Sequence, residues 1–260
     1  AWILAAATAL VGAQLLGVLG VVQLDKAMYL APNVNWLGNL LGGAMFGYGM
    51  VFAGGCASRN LARVGGGDLR ALLTLVVLGI FAYMAIGGLL GPSRAMLEQA
   101  TAVSLSGLKA PTQGLDAIAG AMTGRPGMGW TLAFTAIIAA AAAYYCFSNE
   151  DFRTSTVHVW SGIGIGLCVV AGWALTGLAF DEMADKPTTP ISLTYVRPTG
   201  DALEWLQRFT AARIPGFGVA SVFGAILGAF TAAIVMRRFK LTGFSDLGDL
   251  KRSMLGAILM

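Results

Sequence analysis

The sequence predicts an all-α fold, a polytopic bundle of membrane helices, from three features. Of its 260 residues, 57% are hydrophobic and only 12% are charged, and the mean hydropathy is +0.73. Soluble domains carry roughly 25% charged residues. The apolar residues form long runs rather than stripes, as membrane-spanning helices require. The 36 glycines, about twice the ordinary share, are typical of helices that pack closely in a bilayer.

Six apolar runs are predicted to be spanning helices, and a seventh starts near Ser253. They lie at about residues 1–24, 37–56, 69–90, 129–147, 155–179 and 214–236. Residues 91–128 are mixed and are expected to hold short surface or re-entrant helices. Residues 180–213 are expected to be a polar connection, with a turn at 197–201 followed by an amphipathic helix from Ala202 to Ala212.

The basic residues predict which side each loop faces. If every run spans, the loops at 57–70, 148–154 and 237–252 share one side. These loops hold nine of the seventeen Lys and Arg residues, so they are predicted to be cytoplasmic. The net charge of +4 is explained in this way and does not indicate a nucleic-acid partner.

A faint internal similarity predicts one transmembrane transporter domain over residues 1–260, built as a pseudo-twofold inverted repeat. Residues 41–46 resemble 255–260, and the two copies would cross the membrane in opposite directions. The first repeat is placed at about 1–128 and the second at about 129–260. The second is expected to be incomplete at the C-terminus, because the sequence stops inside an apolar run at Met260.

Glycine pairs spaced by four residues are expected to allow close approach of neighbouring helices. These pairs are Gly38/Gly42, Gly43/Gly47, Gly162/Gly166 and Gly224/Gly228.

The candidate binding site is the glycine-rich stretch that ends on Gly54-Gly55-Cys56 and then turns polar with Ser58 and Arg59. Two consecutive glycines interrupt a helix, and irregular backbone at membrane depth occurs only where it is buried in protein or lines a cavity. The break would present a thiol beside a hydroxyl and a guanidinium, so these five residues are the predicted substrate-binding set. The alternative is that Cys56 is a small, buried apolar side chain.

Other reactive residues give weaker signals. Cys146 and Cys168 lie inside ordinary apolar helices and are expected to be packing residues, and His158 is expected near the membrane interface. The three cysteines match no metal spacing, and no phosphate-binding loop or paired carboxylates occur. No metal, cofactor or catalytic residue is therefore expected.

Several motifs resemble the YeeE/YedE family of transporters for sulfur compounds. They are residues 46–50, 54–58, 66–70, 190–201, 217–220, 228–230 and 248–251. The resemblance implies a bundle with inverted halves in the bacterial inner membrane. It also implies uptake of thiosulfate or a related small sulfur anion past thiols at a constriction, by weak S–H···S hydrogen bonds. Cys56 matches the family's first Gly-Gly-Cys position. The Gly-Cys motif of the C-terminal half is absent, and residues 22–30 lack a cysteine that some members carry.

The expected function is therefore that of a multi-pass inner-membrane permease rather than an enzyme. Its expected partners are a sulfur anion, the lipid bilayer and a small cytoplasmic sulfur-carrier protein. Two alternatives stay open: a membrane sulfurtransferase that forms a persulfide on Cys56, and a subunit that docks the soluble carrier without transporting anything.

Overall fold

The computed structural model describes residues 1–108, 110–124, 127–181, 183, 189–211, 214–244 and 246–260. In this part of the chain nearly all regular structure is helical, which confirms the all-α class. The helices are α1 Trp2–Val18, α2 Trp36–Phe52, α3 Ala57–Gly65, α4 Leu69–Ile86, α5 Gly91–Thr101, α6 Leu115–Thr123, α7 Met128–Ser148, α8 Glu150–Thr154, α9 Thr156–Leu178, α10 Val196–Gln207, α11 Phe217–Val235 and α12 Leu247–Leu259. Strands β1 Asn33–Val34 and β2 Val103–Ser104 pair antiparallel.

Five helical stretches in the described residues are long and apolar enough to cross a membrane. They are Trp36–Gly65, which includes the break before α3, and Leu69–Ile86, Met128–Ser148, Thr156–Leu178 and Phe217–Val235. The run predicted at 1–24 is a shorter apolar helix that ends at Val18, because the backbone turns at Gly20 with φ +72°. The chain is thus a multi-pass membrane protein; the inverted repeat, its halves and any re-entrant helix stay predictions.

The first compact unit comprises Ala1–Val34 and Val103–Leu193, and here α1 packs on α9 and α7. The predicted contact at Gly162 and Gly166 is confirmed, since both face α1. A Cβ added to Gly166 would lie 2.8 Å from the Ala5 carbonyl oxygen, and one added to Gly162 would lie 3.0 Å from that of Ala1. Glycine at these positions therefore sets the distance between the two helices.

The other glycine pairs do not bring helix backbones together in the described residues, so that prediction is wrong for them. A Cβ added to Gly38 would meet only the Glu98 side chain. Open space surrounds the remaining positions, Gly42, Gly43, Gly47, Gly224 and Gly228. Two glycines spaced by four residues leave part of one helix face without side chains, but a close contact also requires another helix to lie against that face.

The second unit comprises Asn35–Ala102 and Thr194–Met260. Its buried core joins α3, α4, α10, α11 and α12 through Ala57, Leu61, Leu75, Leu78, Ala202, Val219, Val222 and Ala257. Glycine allows the closest approach of α2 to α12: a Cβ added to Gly49 would lie 2.8 Å from the Gly256 carbonyl oxygen. This packing holds the C-terminal half of α2 in place.

Helix α10 corrects the expected turn at 197–201 and helix at 202–212. It begins at Val196, includes the expected turn, and ends at Gln207. Pro198 is tolerated because it lies in the first turn, where the backbone N–H has no partner within the helix. Ala212 lies outside the described residues.

Two of the predicted cytoplasmic loops lie together in the second unit. The Lys240 and Thr242 amides donate to the Gly66 and Gly67 carbonyls, both at 3.1 Å, and the Leu69 amide donates to the Thr242 carbonyl at 2.9 Å. The segment after α11 is therefore fixed beside the turn between α3 and α4, and much of the expected loop at 57–70 is the helix α3.

Candidate functional site

The predicted break in the apolar stretch is present between α2 and α3. Helix α2 ends at Phe52, and Gly54 and Gly55 adopt φ +72° and +149° before α3 starts at Ala57. These values lie in the region that residues with a side chain rarely adopt. The two glycines thus let the chain leave one helix and enter another within four residues.

Cys56 occupies the N-cap of α3. Its thiol is free and half-buried, and Sγ lies 3.0 Å from the Ser58 hydroxyl oxygen. The first backbone N–H groups of any helix lack partners within that helix, and they carry its positive dipole end. The turn therefore places a thiol, a hydroxyl and amide donors together, a combination that suits an anion with a soft sulfur atom.

Arg59 is exposed on α3, and its aliphatic chain lies over Gly55. A Cβ added to Gly55 would be 2.5 Å from Cδ of Arg59 and 3.1 Å from its Cβ. The structure thus brings Cys56 and Ser58 into contact and lays Arg59 across the glycine that precedes them.

Asn60 also belongs to this site, although the sequence motif did not predict it. The residue is completely buried, and its Nδ2 donates to the carbonyls of Gly55 at 2.9 Å and Cys56 at 3.2 Å. Its position four residues after Cys56 could have indicated that it belongs to the site, because that spacing places both residues on one face of α3.

Arg63 connects the turn to the start of α4. Its Nη1 contacts the Ala53 and Gly54 carbonyl oxygens at 3.4 and 3.5 Å and the Asn60 Oδ1 at 3.2 Å. Its Nε and Nη2 donate to Asp68 Oδ2 at 3.0 and 2.7 Å. A Cβ added to Gly54 would lie 2.8 Å from Nη1, so a larger residue there would displace the guanidinium.

Asp68 is the N-cap of α4, and its Oδ1 accepts from the Arg70 amide at 3.0 Å. The Arg70 guanidinium also contacts Asp249 in the first turn of α12 at 3.2 Å. Burial opposes ionisation of Asp68, but hydrogen bonds from Arg70 and Arg63 outweigh it and lower the pKa of its carboxyl group. Asp68 therefore stays ionised and keeps Arg63 in place.

The lowered pKa of Asp68 predicts how stability depends on pH. The ion pairs contribute fully above the ordinary aspartate pKa of about 3.9 and are lost as the pH falls through the lower folded-state value. Asp68→Asn keeps an N-cap but loses the charge, and should cost roughly 2 kcal/mol. Thermal unfolding should show that the wild type is more stable than Asp68→Asn by a constant amount from about pH 8 to about pH 5. This difference in stability should shrink below about pH 4. A difference that already shrinks above about pH 6 would contradict this assignment.

Ser58 is expected to orient the thiol. Ser58→Ala removes the one contact found between the Cys56 thiol and a described side chain, so the thiol gains rotational freedom. We expect affinity for the sulfur anion that the sequence predicts as substrate to fall by roughly threefold to tenfold, the value of one ordinary hydrogen bond, with little change in stability. Uptake measured against substrate concentration tests this, with Ser58→Thr as the matched variant that keeps the hydroxyl.

The remaining reactive side chains lie in the first unit. Cys146 is buried in α7 beside a pocket of about 720 Å³ that is also lined by Phe152 and His158. His158 is exposed near the start of α9 and stacks on Phe152, and Cys168 is exposed on α9. Among the described residues, no three His, Cys, Asp or Glu side chains are grouped so that they could hold a metal ion.

Comparison with known proteins adds two findings. A family model described as Sulphur transport matches residues 1–260. The thiosulfate transporter TsuA of Escherichia coli K12 is 26% identical over 274 aligned positions, which cover 96% of this chain and 69% of the relative. The thiosulfate transporter TsuA of Spirochaeta thermophila is 27% identical over 237 positions, covering 87% of this chain and 64% of the relative. The chain thus spans about two thirds of the length of these relatives.

Proposed function

We propose a function from the premise that this chain belongs to the sulphur transport family, whose model matches it from residue 1 to residue 260. The resemblance to YeeE/YedE transporters is thereby confirmed. We infer that the protein is a multi-pass permease of the bacterial inner membrane that takes up thiosulfate or a related small sulfur anion past Cys56. The names of the two relatives support this substrate class. The observation that carries the proposal is the Cys56 thiol at the N-cap of α3, 3.0 Å from Ser58.

The charge balance at the site supports transport rather than tight binding. An anion in a medium of low dielectric needs compensating groups, but a free buried cation would hold a doubly charged anion too strongly for release. Arg63, the cation nearest to Gly54, is paired with Asp68. Arg59, which lies over Gly55, is exposed rather than buried. The other groups left for the anion are a thiol, a hydroxyl and helix N–H groups, and each of these is a neutral donor.

The contact between Cys56 and Ser58 allows one arrangement of hydrogen bonds that suits passage of the anion. Either atom can donate in the free protein. When Ser58 donates to Sγ, the thiol proton is available to the terminal sulfur of the passing anion. No covalent bond forms in this scheme, so we propose transport without enzymatic chemistry. A small cytoplasmic sulfur-carrier protein stays a proposed partner that would receive the imported compound.

The test of this function is uptake of ³⁵S-thiosulfate by cells that lack their own uptake route and express the full-length chain. We expect accumulation well above that of the empty vector, and competition by unlabelled thiosulfate but much less by sulfate, which has no terminal sulfur. Equal accumulation with and without the protein would overturn the proposal. Detection of a persulfide on Cys56 during turnover would replace it with the sulfurtransferase alternative.

A further inference from the structure

Four consecutive backbone carbonyls, from Ala53 to Cys56, lie in the turn that leads into α3, and two side chains of α3 contact all of them. Asn60 donates to the carbonyls of Gly55 and Cys56 at 2.9 and 3.2 Å. Arg63 contacts those of Ala53 and Gly54 at 3.4 and 3.5 Å. The two side chains also contact each other, since Nη1 of Arg63 lies 3.2 Å from Oδ1 of Asn60. Residues three apart lie on one face of a helix, which explains how both reach the same turn.

These carbonyls would otherwise work against an anion. Those of Ala53, Gly54 and Gly55 belong to the C-cap of α2, where the helix dipole is negative, and to the turn that follows it. The Cys56 carbonyl also accepts from the Asn60 backbone amide at the start of α3. Free carbonyl oxygens beside the thiol would repel an anion and attract cations. Once the carbonyls are engaged, the donors left at the turn are the thiol, the Ser58 hydroxyl, the first N–H groups of α3 and the exposed Arg59 guanidinium, and all of these favour a negative charge.

We propose that Asn60 and Arg63 form a carbonyl clamp, defined as this pair of side chains and the four carbonyls they contact, which makes the Cys56 turn selective for anions. Asn60 and Arg63 act through the backbone and are positioning residues. The inference deepens the proposed function and rests on it for the identity of the substrate. The electrostatic selectivity of the Cys56 environment can, however, be measured without any transport.

Asp68 completes the clamp by limiting the charge of Arg63. Its Oδ2 accepts two hydrogen bonds from the guanidinium, at 3.0 and 2.7 Å. The planar guanidinium can satisfy Asp68 and the carbonyls at the same time, whereas the ammonium of lysine cannot span both. The clamp therefore requires the shape of arginine as well as its charge, which distinguishes it from simple attraction of the anion.

The experiment compares how fast Cys56 reacts with two methanethiosulfonate reagents of similar size, one carrying a sulfonate and one a trimethylammonium group. The full-length protein is used in membranes, with alanine at every other cysteine, and mass spectrometry follows the mixed disulfide formed as methanesulfinate leaves. We expect the anionic reagent to be favoured, and Asn60→Asp, Arg63→Gln and Arg63→Lys to lower the ratio of the two rates by roughly tenfold. Lys251→Gln, on the exposed surface of α12, is the matched control for loss of one charge and should leave the ratio unchanged.

The variants must elute as a single species with an unfolding temperature near that of the parent, and Arg63→Gln serves where Asn60→Asp fails to fold. Ratios within about twofold of the parent in all folded variants would overturn the carbonyl clamp. A normal ratio in Arg63→Lys alone would show that charge suffices and would equally overturn it. If the variants change the ratio while the wild type accumulates no thiosulfate, the proposed substrate is wrong and the carbonyl clamp is supported. If the wild type takes up thiosulfate and the variants do not change the ratio, the carbonyl clamp is wrong and the proposed substrate is supported.

Discussion

Replacing Cys56 by serine is expected to reduce thiosulfate uptake to the level of the empty vector without reducing the amount of protein in the membrane. Cys56 is the N-cap of α3 and makes no capping hydrogen bond there through its side chain. Serine is among the preferred N-cap residues, so this change should maintain or increase the stability of α3. It replaces only the sulfur atom, and the hydroxyl keeps a similar size and a hydrogen-bond donor. A loss of uptake would therefore measure the contribution of the thiol itself.

Cys56→Ala extends the same test, because it also removes the donor, and uptake should again be lost. Cys168→Ser is the matched control: Cys168 is exposed on α9 in the other compact unit, and uptake should persist. Uptake of ³⁵S-thiosulfate is normalised to membrane levels determined by immunoblotting. Wild-type uptake in both Cys56 variants would remove Cys56 from the pathway and favour the alternative of a packed cysteine, although membership of the transport family would be unaffected.

Helix boundaries were predictable where one physical signal dominates. The runs predicted at 129–147, 155–179 and 214–236 correspond to α7, α9 and α11 within a few residues, because long apolar stretches between polar connections have few other solutions in a membrane. The break after α2 was also predictable, since Gly54-Gly55 is a strong local signal.

The parts of the site that the sequence did not reveal depend on contacts with the backbone or across long separations. Asn60 and Arg63 bind carbonyl oxygens, which every residue carries, so no pattern of side chains identifies their partners. The contact between Arg70 and Asp249 joins residues 179 positions apart. Arg63 lies in the basic stretch at 57–70 that the charge distribution predicts to be cytoplasmic, but composition places a charge on one side of the membrane and does not identify its partner.

The glycine pairs on α2 also fail to identify its close contact, which lies at Gly49 and supplies a second prediction with a large effect. Gly49→Ala is expected to destabilise the protein, whereas Gly43→Ala on the same helix is not. A Cβ added to Gly49 would lie 2.6 Å from Met260 Cγ, 2.8 Å from the Gly256 carbonyl oxygen and 2.9 Å from the Met260 backbone nitrogen. Two of these atoms belong to the backbone of α12 and of its C-cap residue, so α2 and α12 would have to separate. A Cβ added to Gly43 meets nothing within 4 Å.

The comparison separates packing from intrinsic helix propensity, because alanine is favoured over glycine by about 1 kcal/mol at both positions. Gly43→Ala should therefore be neutral or slightly stabilising. Overpacking at Gly49 should cost about 1–3 kcal/mol, and more if the backbones cannot yield. Thermal unfolding of the two purified full-length variants, followed by tryptophan fluorescence, would measure the difference. Equal unfolding temperatures would contradict the close contact between α2 and α12.

The same pair of variants tests whether the packing of α2 supports the site. Gly49 precedes the Ala53 carbonyl by one helical turn, and Ala53 itself lies against α12, since a Cβ on Gly256 would clash with the Ala53 backbone. A shift of α2 away from α12 would therefore move the first carbonyl of the clamp away from Arg63. We expect the Gly49→Ala protein that remains folded to lose more uptake than Gly43→Ala at equal membrane levels, and equal uptake would show that the turn at Cys56 is positioned by α3 alone.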